Sequence, residues 1–203
     1  MLFRSQYNRA YSLLERLVQI APVYYAYGNH EMRADRNGKV YHKAFVSFMR
    51  RVRKLGVTVL LNDSKRVILG SDELTIYGLN LRQKYYGKFN KKKPLEPKIY
   101  NRYKYCVKDD EPVVLLAHNP RYTPEYLSWG ADLTLCGHYH GGLVCLPGGR
   151  SVISPSFELF PEFSTGVTVD TKGHVAITSR GLGTHTFNIR VCNRAEILSI
   201  DIQ

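Results

Sequence analysis

The sequence predicts an α/β fold that forms a single domain over residues 1–203. Helical and strand-like segments alternate along much of the chain, as they do in layered α/β proteins. A chain of 203 residues, of which 44% are hydrophobic, is long enough to bury one core of that size. We therefore expect one domain with helices packed on sheet.

Helical periodicity predicts two amphipathic helices. The first extends from Gln6 to Ile20, where leucine and valine recur at helical spacing until Pro22 ends the pattern. The second extends from Tyr41 to Leu55 and carries phenylalanine and valine on one face. The segment from Arg82 to Lys104 shows neither period, and its lysine, tyrosine and proline residues predict a long loop or an irregular lid.

Short apolar segments bounded by turn residues predict the strands. In chain order they are PVYYAY, VTVLL, RVILG, ELTIYGLNL, PVVLLA, DLTLC, LVCLP, SVISP, GVTVD, HVAIT and EILSIDI. A short helix is predicted at PEYLSWG, before DLTLC. Proline and glycine interrupt the last five strands, which predicts an antiparallel region there.

The charge and cysteine content limit the possible partners. A net charge of +12 favours an anionic partner such as a phosphorylated ligand, anionic lipid or nucleic acid, although a basic surface alone also keeps a protein soluble. The 4 cysteines include no CxxC pair, so neither a zinc ribbon nor a disulfide framework is indicated. No apolar run approaches the length of a membrane span.

Three predicted strands each lead into a segment that contains histidine. PVYYAY precedes Asn29 and His30 of GNHE, VVLLA precedes His118, and LTLC precedes His138 and His140 of GHYH. Ligands in open α/β sheets bind outside the carboxyl ends of strands, so we expect these segments to meet. In an extended segment residues i and i+2 face the same way, which would direct both histidines of GHYH into one pocket. Imidazole and amide oxygen ligands suit zinc, manganese or iron.

The order GNHE, a strand followed by AH, and then GHYH resembles motifs three to five of the calcineurin-like metallophosphoesterases. The later segments GGLVCLP, SVISPS, TGVTVD and SRGLGT resemble the tail of the YkuE/YaeI-type subgroup of membrane-associated phosphodiesterases. The resemblance implies a calcineurin-like αββα sandwich. It also implies a two-metal-activated water that hydrolyses a phosphodiester or phosphomonoester.

The resemblance implies a role for each residue that matches a motif. Asn29, His118 and His138 would bind one metal ion, and His140 would bind the other. His30 would be the catalytic residue, contacting the phosphate and acting as a general acid or stabilising the leaving oxygen. Arg180 of SRGLGT is a weaker candidate for substrate binding. The expected cofactors are two divalent ions of manganese, zinc or iron.

The sequence also departs from the family pattern. The first two motifs, D-x-H and GD-x-x-D, are absent before Gly28, and no aspartate precedes Asp35. Those motifs supply two ligands of the first metal and the aspartate that bridges both. We therefore expect an amino-terminally truncated form that lacks the first βα units, binds at most one ion well and has little activity alone. A cytoplasmic or peripheral membrane location stays open, because a targeting segment would lie upstream.

Two other functions stay open. A catalytically inactive protein with this fold could bind an anionic partner, such as a lipid surface, through the basic segment from Arg82 to Lys104. Nucleic-acid binding is suggested only by charge and tyrosines, because no base-reading or stacking motif is present. The oligomeric state cannot be read from the sequence.

Overall fold

The computed structural model describes residues 2–36, 39–87, 92–108, 110–146, 151–154, 157–183 and 190–202. The α-helices in these ranges are α1 (Leu2–Leu17), α2 (Asn29–Arg36), α3 (Lys39–Lys54), α4 (Pro97–Cys106) and α5 (Thr123–Ser128). The strands are β1 (Tyr24–Ala26), β2 (Thr58–Leu60), β3 (Asp63–Leu69), β4 (Asp72–Leu79), β5 (Val113–Ala117), β6 (Leu133–Cys136), β7 (Val144–Cys145), β8 (Ser151–Ile153), β9 (Gly166–Val169) and β10 (Val175–Thr178). Short 3₁₀ helices lie at Gln83–Tyr85 and Pro120–Tyr122.

Two sheets form the centre of the described structure. Strands β1 and β2 pair in parallel as a two-stranded sheet. The larger sheet has six strands in the order β3-β4-β5-β6-β10-β9, in which the four central strands are parallel and both edge strands are antiparallel to their neighbours. Strands β7 and β8 form a separate antiparallel pair. The carboxyl ends of β4, β5, β6 and β10 therefore lie along one edge of the larger sheet.

Helices pack against both sheets, which gives the fold two hydrophobic cores. One core joins α1, α2 and α3 to the small sheet and includes Leu14, Met32 and Phe45. The other joins α4 and α5 to the large sheet and includes Tyr103 and Leu115. The α/β prediction is confirmed, since a central mixed sheet is flanked by helices. None of the helices in the described ranges is long and apolar enough to cross a bilayer.

The two sheets come into close contact at Gly78 of β4. A Cβ atom at this position would lie 2.3 Å from Cβ and 2.8 Å from the carbonyl oxygen of Leu60, at the end of β2. The carbonyl oxygen of Gly78 also accepts a hydrogen bond from the backbone N–H of Asn62 over 2.7 Å. Glycine is therefore required here, because any side chain would separate the sheets.

Two helices occupy segments in which the sequence predicts no helix. Helix α2 begins at Asn29 of GNHE, shortly after the end of β1. Helix α4 occupies residues 97–106, so the prediction of an irregular loop from Arg82 to Lys104 is wrong over this part. Pro97 stands in the first turn, where its fixed φ favours a helix start, and buried Tyr103 packs edge-on against Tyr77 at 5.4 Å. Residues 88–91 of the same segment lie outside the described residues.

The later part of the chain differs from the predicted antiparallel region. Strand β10 pairs antiparallel with β9 but parallel with β6, and so it belongs to the central sheet. The predicted strand EILSIDI, residues 196–202, has no strand conformation. Its alternating apolar residues have no neighbouring strand in the described structure, and several of them are exposed.

Candidate metal centre

His118 and His138 lie together at the carboxyl ends of β5 and β6. Their ring centroids are 5.4 Å apart. The backbone N–H of Gly137 donates to the carbonyl oxygen of His118 over 3.2 Å, which ties the two strand ends to each other. Because β5 and β6 are parallel neighbours, both histidines follow their strands at the same edge, as the sequence predicts.

Gly28 brings the segment after β1 against the ring of His118. A Cβ atom at Gly28 would lie 2.8 Å from both Cδ2 and Nε2 of that ring, so only glycine permits this approach. The next residue, Asn29, is 6% exposed, and its Oδ1 has no hydrogen-bond donor among the described residues. Buried acceptors in folded proteins are almost always paired, so this oxygen indicates a partner that the described residues do not supply.

Glu31 fixes the start of helix α2. Its Oε2 accepts a hydrogen bond of 2.9 Å from the backbone N–H of Gly28, and its Oε1 accepts one of 3.1 Å from the hydroxyl of Tyr25. This is the glutamate half of a capping box, which holds Asn29 and His30 in the first helical turn. Because both of its carboxylate oxygens are engaged, Glu31 stabilises the backbone of the site rather than supplying a ligand.

The surroundings keep His118 uncharged at neutral pH. Burial, with a smaller contribution from nearby His30, lowers the pKa of His118 to about 4. The neutral imidazole is the form that binds metal ions. The ring of Tyr86 lies 4.9 Å from that of His138 and 6.3 Å from that of His118, and forms an aromatic wall beside both.

His138 and His140 lie in a tight turn and not in an extended segment. Their φ angles are 59° and 51°, in the left-handed region, and the backbone N–H of Gly142 donates to the carbonyl oxygen of Tyr139 over 2.6 Å. The alternation expected of an extended strand therefore does not apply to this pair. The ring of His140 lies against Gly183, where a Cβ atom would be 3.5 Å away. Such backbone conformations persist only where the surrounding structure holds them.

One anchor of this turn is the side chain of Tyr139, which is 1% exposed. Its hydroxyl donates to Oε2 of Glu158 over 2.9 Å. The buried guanidinium of Arg121 donates to the same carboxylate over 2.6 Å and to the Tyr139 hydroxyl over 3.2 Å. The residue between the two histidines is thus fixed by a partly buried ion pair, and this pairing engages the carboxylate of Glu158.

A second anchor comes from Asn193, which the sequence reasoning missed. Its Nδ2 donates to the carbonyl oxygens of His140 and Gly142 over 2.6 and 2.7 Å. A Cβ atom at Gly141 would lie 2.7 Å from Oδ1 of Asn193, so the turn and this side chain are in direct contact. No signal near GHYH identifies Asn193, because it lies 53 positions after His140.

Arg180 lies on the other side of the same turn. Its Nε donates to Oγ1 of Thr165 over 3.2 Å and is 3.8 Å from Oε2 of Glu196. Its backbone N–H donates to Glu196 over 2.7 Å, and its carbonyl oxygen accepts a hydrogen bond of 2.9 Å from Arg190. These contacts fix its position beside the turn, while a role in substrate binding stays a prediction.

The residues that the sequence assigns to this site suit one cation better than two. Asn29, His118 and His138 would provide an amide oxygen and two imidazoles, a set that suits a divalent transition metal with open coordination positions. Among the described residues, however, no three His, Cys, Asp or Glu side chains lie close enough together to hold a metal ion. The bridging carboxylate of a two-metal centre is therefore not part of the described site.

Comparison with known protein families shows the family to which this chain belongs. A sequence model described as calcineurin-like phosphoesterase matches residues 4–184, which include GNHE, His118, GHYH and Arg180. The chain belongs to the calcineurin-like phosphoesterase family. Searches of curated proteins and of solved structures gave no match. Membership of the calcineurin-like phosphoesterases agrees with the mixed sheet and its flanking helices.

In this calcineurin-like phosphoesterase, Gly28→Ala is expected to weaken metal binding by about tenfold or more, since its methyl group would displace the ring of His118. Gly137→Ala is the matched control, because its Cβ would stand 3.5 Å from the same ring, an ordinary contact distance. Titration of metal-free protein with Zn²⁺ in a calorimeter compares the two. Equal affinities in both variants would show that the position of His118 does not govern metal binding.

Proposed function

We propose that this chain is a metal-dependent hydrolase of phosphodiester or phosphomonoester bonds that acts where Asn29, His118 and His138 meet. The buried Oδ1 of Asn29, which has no donor in the described structure, carries the proposal. Asn29 directly follows Gly28 in the chain. The backbone of Gly28 lies close to the ring of His118. A divalent cation would satisfy the amide oxygen and the two imidazoles at once.

Each residue has a defined task in this proposal. Asn29, His118 and His138 would hold one ion of manganese, zinc or iron, and His140 would contribute to a second. Bound divalent ions supply positive charge to phosphoryl oxygens and lower the pKa of water. His30 is exposed in the first turn of α2 and close enough to His118 to influence its pKa. From that position its imidazole can contact the phosphate and protonate the leaving oxygen.

The finer assignment to the YkuE/YaeI-type phosphodiesterases is part of the proposal. It is supported by the contacts of the SRGLGT segment, in which Arg180 lies against the turn that carries His140. A net charge of +12 would favour an anionic membrane surface or an anionic substrate, so we propose a cytoplasmic or peripheral membrane location.

A second candidate function is binding of an anionic partner without catalysis. It is favoured because the described site has no carboxylate that could bridge two metal ions. A protein of this family without catalytic activity would bind an anionic partner through the basic segment from Arg82 to Lys104. Lys84 of this segment pairs with Glu96, and Lys92 pairs with Glu125 over 2.7 Å. Part of its positive charge is therefore neutralised within the chain.

Metal binding tests the first proposal directly. Metal-free wild-type protein titrated with Mn²⁺ or Zn²⁺ is expected to bind one equivalent, and Asn29→Leu is expected to bind at least about tenfold more weakly because it lacks the amide oxygen. Asn8→Leu, at an exposed position of α1, is the matched control and should bind like the wild type. If the wild type and Asn29→Leu bind the metal ion with equal affinity, Asn29 is not a metal ligand.

Hydrolysis separates the two candidate functions. With Mn²⁺ added, we expect slow turnover of bis-nitrophenyl phosphate or nitrophenyl phosphate, because the proposed site has three ligands for one ion and only His140 for another. Metal binding without any turnover would favour the inactive, anion-binding protein. Fast turnover would contradict the expectation that the described residues form an incomplete two-metal site.

A further inference from the structure

A cavity of about 350 Å³ lies between α2, α4 and the segment that follows β4. This volume is within the range of pockets that bind small molecules. Nothing in the metal chemistry described above uses it. Its walls include Arg36, Asn80, Arg82, Glu96, Lys98 and Arg102.

The cavity shares two of its walls with the candidate metal centre. Helix α2, which begins with Asn29, contributes Arg36 at its other end. The segment after β4 contributes Tyr85, and the next residue, Tyr86, contacts the ring of His138 at 4.9 Å. The cavity and the candidate metal centre are therefore built on the same two elements, α2 and the segment after β4.

The walls of the cavity carry an excess of positive charge. They include the side chains of Arg36, Arg82, Lys98 and Arg102 but only one carboxylate, Glu96. That carboxylate is already paired with Lys98 and with Lys84, which lies outside the cavity. Arg36 and Arg82 are exposed, and neither has a carboxylate partner among the described residues. Two guanidinium groups are thus available for an anion, the ligand type that arginine binds best.

Asn80, which lines the cavity, carries a hydrogen-bond acceptor that lacks a donor among the described residues. The Oδ1 atom of Asn80 is buried and unpaired within the described structure. The backbone of Asn80 is fixed, because its N–H donates to Oδ1 of Asn62 over 2.8 Å and its carbonyl oxygen accepts from Nδ2 of the same residue over 3.3 Å. A hydroxyl group is the simplest uncharged donor for such an oxygen.

We infer that this cavity binds a second phosphate group of the substrate, carried on a hydroxyl-bearing backbone, while the ester to be cleaved lies at Asn29, His118 and His138. The substrate class is then a phosphoester of a polyol that bears a further phosphate. The position of the cleaved ester rests on the proposed function, whereas anion binding by the cavity does not.

Binding to metal-free protein tests the cavity without the metal centre. Glucose 6-phosphate is the probe, since it combines a phosphate with hydroxyl groups, and calorimetry measures its dissociation constant. Arg36→Gln and Arg82→Gln are each expected to raise this constant about fivefold or more. Arg33→Gln, on the same helix but outside the cavity, should leave it unchanged. Absence of binding by the wild type, or equal constants in all variants, would overturn the inference.

Kinetics then distinguish a failure of this inference from a failure of the proposed function. If the protein hydrolyses phosphoesters, Arg36→Gln should raise KM for glycerol bisphosphate about fivefold without changing kcat, and leave KM for bis-nitrophenyl phosphate unchanged. An unchanged KM for both substrates would overturn the inference while the phosphoesterase activity stands. If no ester is hydrolysed, the proposed function fails, and glucose 6-phosphate binding by the same variants still decides whether the cavity binds phosphate.

Discussion

The variant His138→Ala is expected to lose metal binding and any hydrolysis of phosphoesters. His138 is 6% exposed and its ring lies 5.4 Å from that of His118, and in the proposed site it is one of three ligands of one ion. Removing it leaves one imidazole and one amide oxygen, which is too few to retain a divalent cation. We expect affinity for Zn²⁺ to fall about 100-fold or more, equivalent to about 2.8 kcal/mol, in calorimetric titration.

The control for this variant is His42→Ala. His42 is exposed on α3, and its Nδ1 is 2.7 Å from the carbonyl oxygen of Asp35, away from the strand ends that form the site. Near-ultraviolet circular dichroism should show that both variants remain folded. If the alanine variant is unstable, His138→Asn provides a second test, because asparagine fills more of the volume of the histidine side chain than alanine does. If a folded His138 variant binds Zn²⁺ with the affinity of the wild type, the metal ion binds at a site that does not include His138.

Gly78→Ala is expected to destabilise the fold by about 3 kcal/mol or more. The added methyl group would stand 2.3 Å from Cβ of Leu60 and 2.8 Å from its carbonyl oxygen. Neither atom can rotate away, because both belong to the backbone or are attached directly to it. The two sheets would have to separate at this point, and urea denaturation followed by far-ultraviolet circular dichroism measures the resulting loss in free energy of unfolding.

Gly183→Ala is the matched substitution for Gly78→Ala. A Cβ atom at Gly183 would be 3.5 Å from the ring of His140, an ordinary contact distance, so the free energy of unfolding should change by less than about 1 kcal/mol. If both variants unfold at the same urea concentration, the contact between the two sheets does not limit the stability of the protein.

The fold could be predicted best where apolar patterns are strong. VVLLA and LTLC are observed as β5 and β6 at the predicted residues, because both are interior strands of the large sheet and alternate side chains are buried on its faces. Helix α2 was missed because its sequence, NHEMRADR, is short and strongly polar. Helix α4 was missed because tyrosines and lysines are mixed along its sequence and hide its apolar face. The packing of Tyr103 against Trp129 stabilises the helix, and this contact between distant residues is not visible in the local sequence.

The candidate site could be predicted only in part. The convergence of His118 and His138 follows from parallel strands that end at one edge, which is a rule of topology. The turn containing His138 and His140 could not be predicted, since its left-handed conformations depend on contacts with distant side chains. Glu31 likewise had no assigned role until its hydrogen bonds with Gly28 and Tyr25 were seen.

The hydrogen bonds from Asn193 to the turn also have a consequence for the order of events during synthesis. A nascent chain that has exposed His140 must still add 53 residues before Asn193 can bond to its carbonyl oxygen. Until then the two left-handed residues lack one of the anchors that hold them. The ribosome therefore releases the strands and the histidines before the residue that locks their turn, so the geometry of the turn matures after these strands have been synthesised.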